Sequence, residues 1–508
     1  MNQLSREGRA LIDGAALTLV SQGWLVAVFI ITTPILVRGM GDGGYGILSL
    51  VIVIMGYGSL LDFGTSQATV KLIAEYLASG QFERVRRTLA SAVVLNVGIG
   101  LLGAVALFLS AHVLATKLFG VSYSQQPAAQ SALRIVALGF PFILLQGTLQ
   151  ALPYAARKFG AVALVNGALG TLQAVVSVVL VLCRFGLTEV VLTYVGVRTL
   201  TTLIFLGVSI RLIPASPNPV RCDKSSMLRI VRFGRWILVS SIIGPLLVNC
   251  DRFILASLVS VAALTYYSVP YGVANRLSIV AASVSPILFP VFSARSALFD
   301  TVRTKNLLIR SMKLLLLVIA PMFLFVIVFS REILSIWLGP SFASASYAAL
   351  QLLTFGVLLN SMAAIPYAAV LGTGRPDLTA KFHAIELVVY LPLAILLTKR
   401  LGIQGAAIAW TARVLLDLAL LCWSLNRVMT VTYRDLAANA VFGSALVTVP
   451  LAALLLAARV LIGSLTLQAF AAAFVFLCYA IFCWSYLLDS SDRSVFFRFR
   501  KFVASQGT

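Results

Sequence analysis

The sequence predicts an all-α polytopic membrane protein of about 14 transmembrane helices, arranged as two parallel six-helix lobes plus two C-terminal helices. Three observations predict it. Of 508 residues, 60% are hydrophobic and 11% charged, with a mean hydropathy of +1.00. Soluble domains run near 45–50% apolar and about 25% charged. Apolar runs long enough to cross a bilayer recur along nearly the whole chain. Short motifs of the first half return, in order, in the second.

The first apolar run, 14–37, follows Arg6 and Arg9 and is too long for the core of a signal peptide, so it reads as a spanning helix. Spans at 45–65, 89–111, 131–152, 161–183 and 187–210 complete the first lobe, 1–213. The segment 214–235, with Pro214, Pro217 and Pro219, reads as a cytoplasmic linker. Spans at 236–258, 266–292, 313–332, 348–371, 385–398 and 404–426 build the second lobe, 236–426. Those at 437–458 and 462–488 form the extra pair within 427–508, ahead of a basic tail.

The repeat is visible in the letters. "ALPYAA" (151–156) returns as "AIPYAA" (364–369), and "RFGL" (184–187) as "RLGI" (400–403). Basic loops follow the second span of each half, around Arg84–Arg87 and Arg303–Arg310. Six helices per repeat is an even number, so both halves enter the membrane from the same side.

The net charge of +22 is explained by position. With the N-terminus inside, most of the 39 Lys and Arg fall on cytoplasmic segments and face anionic lipid. Both termini are then cytoplasmic, and nucleic acid is not an expected partner. The two histidines form no HExxH, no glycine-rich phosphate loop is present, and no CxxC joins the six cysteines. Neither a metal nor another cofactor is expected. Short outer loops argue against a polymerase or glycosyltransferase, so an enzyme is not expected either; a scaffold without transport is a weaker alternative.

Charges inside the spans carry the function. Arg198, Arg252, Arg276 and Arg413 lie roughly 9–17 Å in from the outer span ends. Asp251 and Asp417 are the internal acids, whereas Asp62 and Glu386 lie nearer the cytoplasmic ends, where snorkelling to water is cheap. Each such charge costs roughly 2.5–3.5 kcal/mol at a membrane helix centre. Arg413 and Asp417 are one turn apart and can pair, as can Asp251 and Arg276 across a helical hairpin. Arg198 and Arg252 are left over. Ser241, Pro245, Asn249 and Arg252 form one stripe, and Pro245 beside Gly244 predicts a kink. Arg252 therefore faces either a watery cavity or helix ends in the packed bundle. The cationic surplus predicts an anionic substrate, because the guanidinium fork suits phosphate oxygens. The first span has no acid between Gly14 and Val37, which weighs against a cation exporter.

Several motifs add a resemblance. They are "GDGGYGILSL" (41–50), "LLDFGTSQA" (60–68), "NCDRFILASLVSVAALTYYSVPYGVANRL" (249–277), "LFPVFS" (288–293), "LGTGRPDL" (371–378) and "RLGIQGAAIAW" (400–410). Across nearly residues 10 to 426 the chain resembles the polysaccharide-transport branch of the multidrug/oligosaccharidyl-lipid/polysaccharide exporter superfamily, which includes the O-antigen (Wzx-type) flippases. The resemblance implies a flippase for an oligosaccharide on an undecaprenyl-pyrophosphate type of carrier in a bacterial inner membrane. It further implies membrane lipid, a polysaccharide polymerase and other assembly proteins as partners.

Arg252 and Arg276 are carried over as pyrophosphate or sugar contacts; Arg198, Arg413 and Asn249 join them from the depth and stripe arguments. Asp251 and Glu386 are candidates for ion coupling. The long polyprenyl tail would stay in lipid, which calls for a lateral gate between spans 1 and 8 or 2 and 7. Fourteen helices, rather than the twelve common in O-antigen flippases, look more like lipid II flippases, the alternative substrate class. A multidrug or cation antiporter of the same superfamily is the third reading.

Overall fold

The computed structural model describes residues 2–58, 65–156, 158–213, 227–228, 246–297, 301–429, 431, 435 and 441–488. Asp62, Ser241, Gly244 and Pro245, most of the linker 214–235 and the basic tail lie outside the described residues. Every regular element among the described residues is helical. Contacts divide the chain into two compact units, Met1–Val269 with His383–Ala406, and Pro270–Phe382 with Ala407–Thr508.

The first unit opens with α1, Asn2–Gly58, which carries the first predicted span and the second as far as Gly58. The helix bends at Gly41, whose φ of 68° lies in the left-handed region that a side chain disfavours. There follow α2 (Thr65–Ala78), α3 (Phe82–Val113), α4 (Gln126–Ala155), α5 (Phe159–Leu182) and α6 (Leu187–Leu212). In the turn before α6, Arg184 of "RFGL" adopts a φ of 63°. Residues 246–258 form α7, and α8 spans Val261–Arg276.

Hydroxyl and amide groups tie these helices together. Asn96 of α3 donates to Thr65 and to Thr148, each at 2.8 Å, in a buried cluster that joins α2, α3 and α4. Thr202 and Ser209 of α6 donate to carbonyls of α4, those of Phe142 and Leu149, at 2.9 and 3.1 Å. Trp24 Nε1 of α1 donates to Thr171 of α5 at 2.9 Å. Between membrane helices such bonds are worth about 0.6 kcal/mol on average, so they fix register more than they hold the bundle.

In the second unit, α9 (Ile279–Ala297) follows a break at Leu277–Ser278. The predicted span 266–292 is thus two helices, and the break falls just after Arg276 rather than at Pro270, Pro286 or Pro290. Then come α10 (Thr301–Val328), a short α11 (Ser330–Leu338) and α12 (Pro340–Gly372). Gly339, at φ 101°, makes the corner between the last two, and Pro340 opens α12 where its missing N–H costs nothing.

The long α13, Pro376–Met429, turns at Gly402 (φ 57°) and carries two predicted spans. Its stretch from His383 to Ala406 packs with the first unit. The last helices are α14 (Val441–Leu461) and α15 (Leu465–Phe482), which bury Leu451, Leu455 and Ala472 against Val328 and Phe329. Among the described residues, nine helices are long and apolar enough to cross a membrane, with the two bent ones counted once each. The protein is an integral membrane protein.

The repeat has a packing counterpart. A Cβ on Gly139 of α4 would lie 2.5 Å from Val195 of α6, and one on Gly356 of α12 would lie 2.6 Å from Trp410 of α13. Each half uses one glycine to admit a side chain from its sixth helix.

Candidate functional site

Arg198 stands on α6 and is exposed. Its Nη1 donates to Oε1 of Gln146, a buried amide of α4, at 3.0 Å. The two line a cavity of ≈ 200 Å³ with Met55, Gly56, Ile143 and Gln150. Gln150, one turn beyond Gln146, donates to Asn166 of α5 at 3.2 Å. Tyr194, one turn before Arg198, hydrogen-bonds Gln173 of the same α5. An arginine beside two glutamine amides, with a phenol one turn away, can hold phosphate oxygens and sugar hydroxyls alike.

Of this group, sequence reasoning found Arg198 alone. Gln146 and Gln150, spaced i and i+4 within an apolar run, were the available signal for the rest.

On α7, the adjacent acid and base separate. Asp251 is fully buried and accepts the hydroxyl hydrogen of Tyr267 on α8, itself fully buried. Asp251 thus ties its helix to the neighbouring one through a tyrosine. Arg252 is half-buried, and its Nη1 donates to Oδ1 of Asn249 at 2.8 Å. The two polar residues predicted to share a stripe do touch. Arg252 and Tyr390 of α13 both lie close enough to Tyr267 to act on it electrostatically.

Glu386 precedes Tyr390 by one turn. The sequence suggested a wet, interfacial position for it, but the residue is 0% exposed. It shares the inward face of α13 with Tyr390, which is 1% exposed. Its nearness to a predicted span end did not decide its exposure, because helix packing covers that face.

At the start of α8, Tyr266 donates to the Asp42 carboxylate, just past the Gly41 bend, and Thr265 donates to the Asp42 carbonyl at 2.6 Å. Beside them, a Cβ on Gly46 would lie 2.0 Å from the Val261 carbonyl oxygen, so only glycine permits this approach.

In the second unit, Arg276 Nη1 donates to the Gly272 carbonyl of its own helix at 2.7 Å. Arg413 is buried, with its guanidinium 5.7 Å from the centre of the Trp410 ring. Tyr271 meets that ring edge-on at 5.5 Å. Tyr367, from the second copy of the "PYAA" motif, feels the charge of Asp417, one turn beyond Arg413. An aromatic face beneath a guanidinium stabilises the charge without using up its N–H donors.

Residues 35–347 match the family described as polysaccharide biosynthesis protein. The chain is 27% identical over 401 residues to a putative O-antigen transporter of Shigella flexneri, covering 78% of this chain and 93% of that protein. A probable low-salt glycan biosynthesis flippase, Agl15 of Haloferax volcanii, is 27% identical over 177 residues, covering 35% of this chain and 37% of that one. Among solved structures, the lipid II flippase MurJ in an inward closed conformation superposes with a TM-score of 0.69 at 15% identity, over 94% of this chain and 98% of that one. An inward-facing multidrug resistance MATE transporter gives 0.67 at 13% identity, over 82% and 98%. At such identities the structures establish the fold.

Proposed function

The chain belongs to the polysaccharide biosynthesis protein family, and on that premise we propose that it is a flippase for a polyprenyl-pyrophosphate-linked oligosaccharide. It takes the lipid-linked glycan from the cytoplasmic leaflet and delivers the head group to the outer leaflet by alternating access of its two lobes. The observation that carries this reading is Arg198, a guanidinium inside an apolar bundle, held by Gln146 on a cavity that Gln150 also lines. A cation exporter would need carboxylates at such a wall. The O-antigen and glycan-flippase names of the two relatives support the same class of cargo.

In this reading Arg252, Arg276, Arg198 and Arg413 hold the pyrophosphate in turn along the path, and Asn249 orients Arg252. Asp251 and Glu386 are the carboxylates available for ion coupling. The protein resides in a bacterial inner membrane with both termini in the cytoplasm. Leaflet assignment of lipid-linked oligosaccharides in cells lacking the protein tests this. Cytoplasmic-side accumulation, relieved by the intact protein but not by R198A or R252A, is expected. No accumulation in the deletion strain would refute it.

Lipid II is the second candidate cargo. It is favoured by the fold match to MurJ, which extends over 94% of the chain against 82% for the MATE transporter. Analysis of which lipid accumulates, the peptidoglycan precursor or a different glycan, separates the two.

A further inference from the structure

At one end of the second unit lies a cavity that none of these arginines lines. Its volume is ≈ 360 Å³, and Arg331, Glu332 and Ser335 of α11, Pro340 of α12, Arg459 of α14 and Leu465 of α15 line it. Arg459 Nε donates to Glu332 Oε1 at 2.8 Å. Arg331 is exposed and makes no hydrogen bond or ion pair among the described residues. Two guanidiniums against one carboxylate leave the cavity with one net positive charge.

Its place in the fold identifies the solvent. The basic residues Arg303, Lys305 and Arg310 mark the start of α10. A helix of this length rises about 40 Å, so α11 sits at the opposite membrane surface, together with the loop between α14 and α15. That surface is the outer leaflet under the orientation proposed above. α11 is amphipathic: Ser330, Leu334 and Leu338 are buried on one side, while Arg331 and Ile336 are exposed on the other. With Trp337 in its last turn, it has the make-up of a helix lying at the headgroup level. About five residues back along α14, roughly 7 Å by helical rise, Leu454 begins an apolar furrow between α14 and α15 that also holds Leu451 and Phe482.

We infer that this cavity binds the phosphate of an anionic phospholipid headgroup, with Arg331 and Arg459 as its ligands and the lipid's acyl chain in the furrow. Glu332 holds Arg459 in place and lowers the cavity's charge, so it weakens binding. The site is separate from the proposed transport path, and its test does not depend on flipping.

The purified full chain in detergent is given phosphatidylglycerol, phosphatidylcholine or inorganic phosphate, and bound lipid is counted by native mass spectrometry. Phosphatidylglycerol should be retained in preference to phosphatidylcholine. A surface charge near the headgroups is worth about fivefold in affinity, so R331Q should lower phosphatidylglycerol retention about fivefold. E332Q, whose amide oxygen still accepts from Arg459, should raise it by a similar factor. Inorganic phosphate should not displace the lipid. Equal retention of the two lipids, retention indifferent to both substitutions, or displacement by millimolar phosphate would each overturn the proposal, the last by identifying a free anion as the ligand.

Discussion

Tyr266 donates its hydroxyl hydrogen to the Asp42 carboxylate, so the start of α8 is fastened to the Gly41 bend of α1 across 224 residues of sequence. Thr265 adds a bond to the backbone of the same aspartate. Both residues fall in the first compact unit, so the tie holds α1 and α8 together within it.

A hydrogen bond to a charged group contributes about 1.5–3 kcal/mol. Tyr266→Phe should accordingly loosen the bend by roughly tenfold or more. In a background free of the native cysteines, a water-soluble maleimide should label Gln125→Cys, which lies against Gly43, that much faster. Labelling at an unchanged rate would mean that the tie does not hold the two segments.

The Arg198–Gln146 bond makes a different prediction. Gln146→Leu keeps the volume but removes the acceptor that aims the guanidinium. Transport should fall about tenfold with the folded protein at normal levels, whereas Arg198→Ala should abolish it. Arg198→Lys should rescue poorly, because a point charge does not replace a planar fork. Full activity in Gln146→Leu would remove the amide from the site.

Asp251 and Tyr267 are both fully buried, so their contributions should be coupled. Tyr267→Phe leaves a carboxylate without this donor and should cost about 1–3 kcal/mol. Asp251→Asn should cost less, and the double variant should be no worse than Tyr267→Phe alone. Thermal unfolding of the four proteins in one detergent completes the cycle. Strict additivity of the two losses would show that the bond contributes nothing of its own.

Gly402 turns α13 at a φ of 57° and ψ of −129°, a backbone region that costs a residue with a side chain about 1–3 kcal/mol. Gly402→Ala should lower the melting temperature by a few degrees. Gly443→Ala, in a helix with open space around the glycine, should leave it unchanged or raise it. A Gly402→Ala protein as stable as wild type would indicate that the bend tolerates a side chain.

The apolar runs located the helices because hydrocarbon length leaves few alternatives: the described parts of the predicted spans are helical apart from short breaks such as Leu277–Ser278. The stripe on α7 was legible from Asn249 to Arg252 because three residues is a helical neighbour distance. The amides around Arg198 escaped notice, since an uncharged glutamine hardly alters the hydropathy of its run and its use depends on which helix lies opposite. Glu386 was misplaced for the same reason: distance along a span says how deep a residue is, but not which side of its helix is covered. The break at Leu277–Ser278 carries no Gly or Pro signal at all.

The glycine that receives Val195 in one half receives Trp410 in the other. Exchanging an aliphatic group for an aromatic one keeps the joint and, in the second half alone, sets a ring beneath a buried guanidinium, that of Arg413. Trp410→Val would empty the space beside Gly356 and remove the ring beneath Arg413, so it should cost about 3–5 kcal/mol of stability, read as a lowered melting temperature.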